Sequence, residues 1–95
     1  MPTEDIFLWL PDIVEKIQGK HGVEPEEVEE VLSGHPKLLR GPKGNRPGED
    51  IHYALGVTDA GRYLTIVFIR KLDERILIVT ARDMTSKERR RHGRK

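Results

Sequence analysis

The sequence has no cysteine in its 95 residues. Disulfides and thiolate metal sites are thereby excluded, which suits a reducing compartment. Aromatic residues are also scarce, at 5%. Phe7, Trp9, Tyr53, Tyr63 and Phe68 are too scattered to resemble the base-stacking platform of a single-strand binder. No run approaches the ~20 apolar residues that a membrane-spanning helix needs. The opening MPTEDIFLWLPDI has neither the basic flank nor the long apolar stretch of a secretion signal, so a cytoplasmic protein with no membrane partner is expected. Phosphate-cradling GxxxxGKS/T and GxGxxG loops are missing. The isolated Ser33 and Ser86 fall in helix-end contexts, which leaves a nucleophilic triad unsupported. His21, His35, His52 and His92 show no metal-ligand spacing and no tight carboxylate cluster, so neither a metal nor another cofactor is expected.

What the chain does have is charge: 35% charged residues against 36% apolar ones. Ninety-five residues without an internal repeat make one domain, 1–95, with a single core and little room for a deep cofactor pocket. The net charge of +1 conceals a division. Residues 1–33 hold nine acidic and two basic side chains, whereas residues 34–95 hold fifteen basic and seven acidic. Either the C-terminal part meets a polyanion or an acidic partner protein, or the two parts neutralise each other in the fold.

Leu10, Ile13, Val14 and Ile17 have the spacing of one helical face. Pro11 suits the first turn, and Lys20 and His21 precede Gly22 as cations at the negative end of a helix with a left-handed cap. A second helix opens at Pro25, buries Val28, Val31 and Leu32, and stops at Gly34. Lys37 to Arg40 form a short strand, and the Gly- and Pro-rich stretch 41–49 is a mobile basic loop. Three strands follow: 51–57, with Ile51, Tyr53, Leu55 and Val57 on its buried face; 63–69, apolar on both faces and central; and 76–81. Short connections make these an antiparallel meander of three to four strands with both helices on one face, an α+β fold. Thr85 and Glu88 form a capping box that starts a short helix near Ser86, and residues 93–95 are tail. Beyond Met84 no strongly apolar residue remains, so this helix either frays or is held by salt bridges and aliphatic stems.

The groups able to do chemistry gather around this end of the chain. Arg82 directly follows the last strand, where rigid backbone can aim a guanidinium, unless it pairs with an acid of the first two helices. Arg89, Arg90 and Arg91 cover successive faces of the terminal helix, and His92 closes it. His52 is out of phase with the apolar set of its strand, which places it on the open face. Glu88 serves as cap or as catalyst. Such groups suffice to cleave RNA without a metal: the 2′-OH attacks the adjacent phosphorus, a base and an acid move protons, and arginines stabilise the added charge. Histidine titrates in the right range for either proton role.

The segments KHGVEPEEVEEVL (20–32), GRYLTIVFI (61–69) and TARDMTSKERRRH (80–92), in that order, resemble the BrnT family of bacterial type II toxins, part of the wider RelE/ParE-like group. The resemblance implies a compact α+β fold and a ribonuclease toxin that cleaves RNA, in some settings ribosome-associated mRNA, and arrests translation. It implies neutralisation by a ribbon-helix-helix antitoxin, with operator DNA reached only through that complex. By motif, Lys20, His21 and Gly22 match the family's KHG, Arg82 its arginine after the last strand, and Glu88 and Arg89 its ER. The expected catalytic set is therefore Arg82, His52, His92 and Glu88, with Arg89, Arg90, Lys20 and His21 binding substrate. Two positions depart from the pattern: His52 stands where many relatives have arginine, and His92 where the terminal helix usually has tyrosine. The alternative is a non-catalytic relative that inhibits a protein target or acts only as antitoxin co-repressor. A basic nucleic-acid-binding accessory protein is the third reading.

Overall fold

The computed structural model describes residues 6–41 and 49–93. All but the ends of the basic loop read at 41–49, and the tail beyond Gly93, lie outside the described residues. The elements are β1 (Phe7–Leu8), α1 (Pro11–His21), α2 (Pro25–Ser33), β2 (Lys37–Arg40), β3 (Ile51–Val57), β4 (Tyr63–Arg70), β5 (Ile76–Asp83) and α3 (Ser86–His92). The five strands lie in the order β1-β5-β4-β3-β2. β2 to β5 form the expected antiparallel meander with β4 at its centre. β1 adds a strand to the expected sheet, pairing parallel to β5 through Phe7 with Ile76 and Leu8 with Leu77. Two residues cannot display an alternation, so β1 left no periodic signal in the sequence.

Local chemistry sets the helix ends. Leu10 is not in the first turn of α1: it is the extended N-cap residue and half exposed, while Ile17 carries the buried face. Gly22 caps the other end at φ 62°, a left-handed conformation that costs a glycine nothing sterically. In α2 the Glu24 N–H donates to Glu27 Oε1 at 3.0 Å, the reciprocal half of a capping box. Ile17, Val23, Val28 and Val31 then meet Ala54, Leu64, Ile66, Phe68, Ile78 and Ala81 of the sheet, closing the core under both helices. β5 carries one extra residue, Val79, between the pairs Val67–Thr80 and Phe68–Ile78. Its carbonyl accepts from Lys16 Nζ at 3.5 Å, so α1 is tied to the bulge.

Residues paired across neighbouring strands share a face of the sheet. Ala54, Ile66 and Ala81 form a row beneath α1 and α2; Leu55, Thr65 and Arg82 form a row on the other side. The expected buried set of β3 is therefore corrected. Ile51, Tyr53, Leu55 and Val57 lie on the face opposite the helix pair, and of them only Leu55 is fully buried. The helix pair chooses the side with the small residues because close approach matters more there than side-chain hydrophobicity. A Cβ on Gly56 would come within 2.6 Å of a Val31 methyl. Val31 is β-branched and stiff, so Gly56→Ala overpacks the α2–β3 contact. We expect a loss of about 1–3 kcal/mol in urea denaturation, with β-sheet circular dichroism retained.

Candidate active site

The terminal helix α3 has no buried residue, and its attachment to the sheet is polar. Thr85 Oγ1 accepts from the Glu88 N–H at 3.1 Å, and Glu88 Oε1 accepts from the Thr85 N–H at 2.9 Å, completing the capping box. The same carboxylate reaches the sheet. Thr65 Oγ1, on a fully buried residue of β4, donates to Glu88 Oε1 at 2.8 Å. Arg82 of β5 clamps both carboxylate oxygens, Nη1 to Oε1 at 2.7 Å and Nη2 to Oε2 at 2.8 Å. Two further ties hold the far end: the Arg89 guanidinium lies 4.1 Å above the Tyr63 ring, and Lys37 Nζ donates to the Arg91 carbonyl at 2.9 Å. The sequence allowed either fraying or attachment through polar groups and stems. Attachment is what the structure has.

These bonds fix the charges. The Arg82 side-chain hydrogen bonds hold the Glu88 carboxyl down at about 2, with Thr85 and Thr65 adding to the effect against the opposing cost of burial. Glu88 in turn raises the Arg82 guanidinium above its usual range, chiefly by hydrogen bonding. A carboxylate so firmly ionised is a poor proton donor at neutral pH, and its lone pairs are occupied. What the contacts show is a carboxylate that orients Arg82. The sequence-level pairing of Arg82 with an acid of α1 or α2 is replaced by this contact within the C-terminal part.

Beside the pair lies a cleft of about 300 Å³, bounded by Leu39, Arg40, Tyr53, Leu55, Arg82, Lys87, Glu88 and Arg91. Sheet residues make its floor and α3 one wall, with Lys87 and Arg91 one helical turn apart. The Tyr53 ring packs against Gly41, where a Cβ would come within 2.8 Å of the ring edge. Lys87 and Arg91 make no ion pair with any described residue, so the cleft is electropositive; Arg40, paired with His52 across β2 and β3, bounds it from the strand end with its side chain on the helix-pair side. Among the described residues, no three His, Cys, Asp or Glu are grouped to hold a metal ion.

This arrangement, with an arginine oriented at the end of β5 by a helix that follows it, coincides with a family match. A family model described as the ribonuclease toxin BrnT of type II toxin-antitoxin systems matches residues 9–88. The chain belongs to the BrnT family. No curated protein matches it. Membership makes RNA the substrate class and an antitoxin protein the partner.

Within this BrnT protein the expected site residues separate into groups. Arg82 and Glu88 are joined, and Arg82 lines the cleft. Arg89 and Arg90 are exposed on α3, Arg89 over Tyr63. His92 meets the edge of the same Tyr63 ring, with centroids 5.9 Å apart, and does not line the cleft. His52 is not on the open face with Arg82. It pairs with Phe68 across β3 and β4 and stacks on that ring at 5.4 Å, on the helix-pair side of the sheet. The inversion of the β3 faces is the reason.

Lys20 is exposed on α1 beside Glu15 and Gly19. Nearby, the backbone of the KHG stretch is what the fold uses. Arg62 donates to the His21 carbonyl at 2.9 Å and the Gly22 carbonyl at 2.7 Å, and pairs with Asp83 at 2.8 Å and Glu27 at 3.3 Å. Arg62, Tyr53 and Lys87 were not singled out from the sequence as site residues, whereas Arg91 was named with the other cations of the terminal helix. The available signal was parity: Tyr53 and Leu55 fall on the same face, and that face is Arg82's once β3, β4 and β5 are registered.

The Glu88 carboxyl has its folded value depressed below the unfolded one, so the unfolded chain takes up its proton first as pH falls. The stabilisation is complete above about pH 5 and is lost between roughly 4.5 and 2. Glu88→Gln should lower stability by about 1–2 kcal/mol at neutral pH, a figure reduced for solvent screening, and flatten this acid limb. Urea titrations of both proteins at neutral pH and near pH ~3 measure it. Parallel acid limbs in wild type and variant would refute the hub.

Proposed function

We propose that this BrnT protein is a metal-independent endoribonuclease whose cleavage of RNA, including ribosome-associated mRNA, arrests translation in the cytoplasm. Its antitoxin is a ribbon-helix-helix protein, and operator DNA is met only through that complex. The observation that carries the reading is the Arg82–Glu88 clamp at the wall of an electropositive cleft. A guanidinium held on two points needs no reorganisation when charge develops on a bound phosphate, which is how preorganised donors lower a barrier.

In this reading the 2′-oxygen attacks the neighbouring phosphorus and the P–O5′ bond breaks. The products are a 2′,3′-cyclic phosphate and a free 5′-hydroxyl, with the proton of the 2′-oxygen passing to solvent water and another reaching the 5′-oxygen. Arg82 stabilises the pentacoordinate phosphorane, and Lys87 and Arg91 supply the charge for which a metal would otherwise be needed. Tyr53 carries the one side-chain hydroxyl among the described residues lining the cleft and acts as the acid on the 5′-oxygen. His52 faces away from the cleft, and His92 supports α3 through Tyr63. Arg89 and Arg90 contact the RNA backbone outside the cleft.

Purified protein should cleave RNA in the presence of chelator and arrest growth when expressed. Arg82→Ala should reduce cleavage by about 10²–10³-fold and Tyr53→Phe by about 10²-fold, both with unchanged circular dichroism. RNA left intact by folded wild type would sink the proposal. The second reading, a non-catalytic relative acting on a protein target or only as co-repressor, draws on the distance of both histidines from the cleft. Its signature is growth arrest, or an antitoxin complex on DNA, with no RNA cut.

A further inference from the structure

The cleft has two chemistries, and the phosphate reading uses only one of them. Its rim is cationic, but its floor is Leu39, Leu55 and the ring of Tyr53. Leu39 and Tyr53 are directly paired across β2 and β3, and Leu55 follows Tyr53 on the same face. Leu55 is 1% exposed, while Leu39 and Tyr53 keep part of their surface accessible. A site for phosphate alone has no use for an apolar floor with an aromatic ring, and an apolar ligand has no use for the cations around it.

We infer that the floor is a nucleobase subsite: one base of a single-stranded RNA leaves its stack and lies on Tyr53, Leu39 and Leu55. The phosphates on either side of that nucleotide engage Lys87 and Arg91 on α3. This deepens the ribonuclease reading and rests on it for the choice of RNA. A base has a polarisable face that stacks on an aromatic ring whatever its identity, so the subsite selects unpaired over paired nucleotides rather than one sequence. A base in a duplex cannot enter without unpairing. Gly41 is part of the device, since any larger residue there would push the Tyr53 ring out of the floor.

The test uses the whole protein and a short RNA with 2′-O-methyl groups, which lacks the attacking hydroxyl and cannot be cleaved. Binding is read by fluorescence anisotropy for the single strand, the same strand in a duplex, and an abasic chain of equal length. The single strand should bind at least about ten-fold more tightly than either of the others. Tyr53→Phe keeps the ring and should leave this binding unchanged, although it impairs cleavage. Tyr53→Leu should weaken binding about ten-fold, and Leu39→Ala, on the edge strand, should weaken it in the same direction. Arg91→Ala should weaken all three probes alike and reduce the salt dependence.

Equal affinity for the strand and the abasic chain would overturn the subsite and leave a bare electrostatic groove, one as open to an acidic protein segment as to RNA. Indifference to Tyr53→Leu would overturn it too. Failure of cleavage on ordinary RNA, with base-dependent binding intact, would instead refute the ribonuclease reading and leave the subsite standing.

Discussion

The ionised carboxylate of Glu88 is the constraint on which the C-terminal third of the structure depends. A helix of seven residues does not pay for its own nucleation, and α3 buries no side chain that could compensate. Glu88 compensates by accepting at once from its own cap, from the buried Thr65 of the sheet and from both ends of the Arg82 fork. Bonds of this kind, with one or both partners charged, are about twice as strong as neutral ones. Removing the carboxylate releases helix, strand hydroxyl and guanidinium together. The capping box legible in the sequence is thus half of a larger device whose other half is tertiary.

The clamp separates two tasks that the sequence presented as one. Arg82 is aimed by Glu88, but the pair together is nearly neutral and contributes little long-range attraction. That attraction falls to Lys87 and Arg91, whose side chains flank the cleft with no ion pair among the described residues. The charge division along the chain becomes a division across the sheet. The acidic helix α2 and the charge-balanced α1 cover one face, and the basic helix α3 lies on the other. A polyanion approaching the molecule is therefore repelled on one side and drawn to the cleft side.

Much of the fold was open to sequence reasoning because it is written in local chemistry. Pro11 and Gly22 bound α1, Gly34 stops α2, the Thr85–Glu88 box starts α3, and the apolar run of β4 marks the sheet centre. What escaped is tertiary. β1 is too short for periodicity, and it exists because Phe7 is buried against β5. The faces of β3 were assigned by hydrophobicity, whereas Gly56 and Ala54 show that helix approach selected the small side. That one reversal carried His52 to the wrong side of the sheet and hid Tyr53. Arg82 and Glu88 were found because their positions are fixed by neighbours in sequence; that Lys87 and Arg91 are the α3 cations facing the cleft needed the placement of α3.

Consecutive residues at the end of β5 link the two family motifs. Arg82 points to the α3 side and is held by Glu88; Asp83 points to the helix-pair side and is held by Arg62. Arg62 also grips the His21 and Gly22 carbonyls, the last acceptors of α1, where a cation complements the helix dipole. Hydrogen bonding to Arg62 lowers the Asp83 carboxyl, and His21 adds to the effect from nearby. An exposed ion pair such as Arg62–Asp83 is worth little by itself. Anchored to helix-end carbonyls on one side and to a strand on the other, it pins the strand end that carries Arg82. The KHG stretch contributes its backbone here: Gly22, left-handed at φ 62°, turns the chain towards α2 while its carbonyl and that of His21 meet Arg62. A motif that the sequence offered as a substrate contact thus also takes part, through its backbone, in the mounting of the arginine on the opposite face.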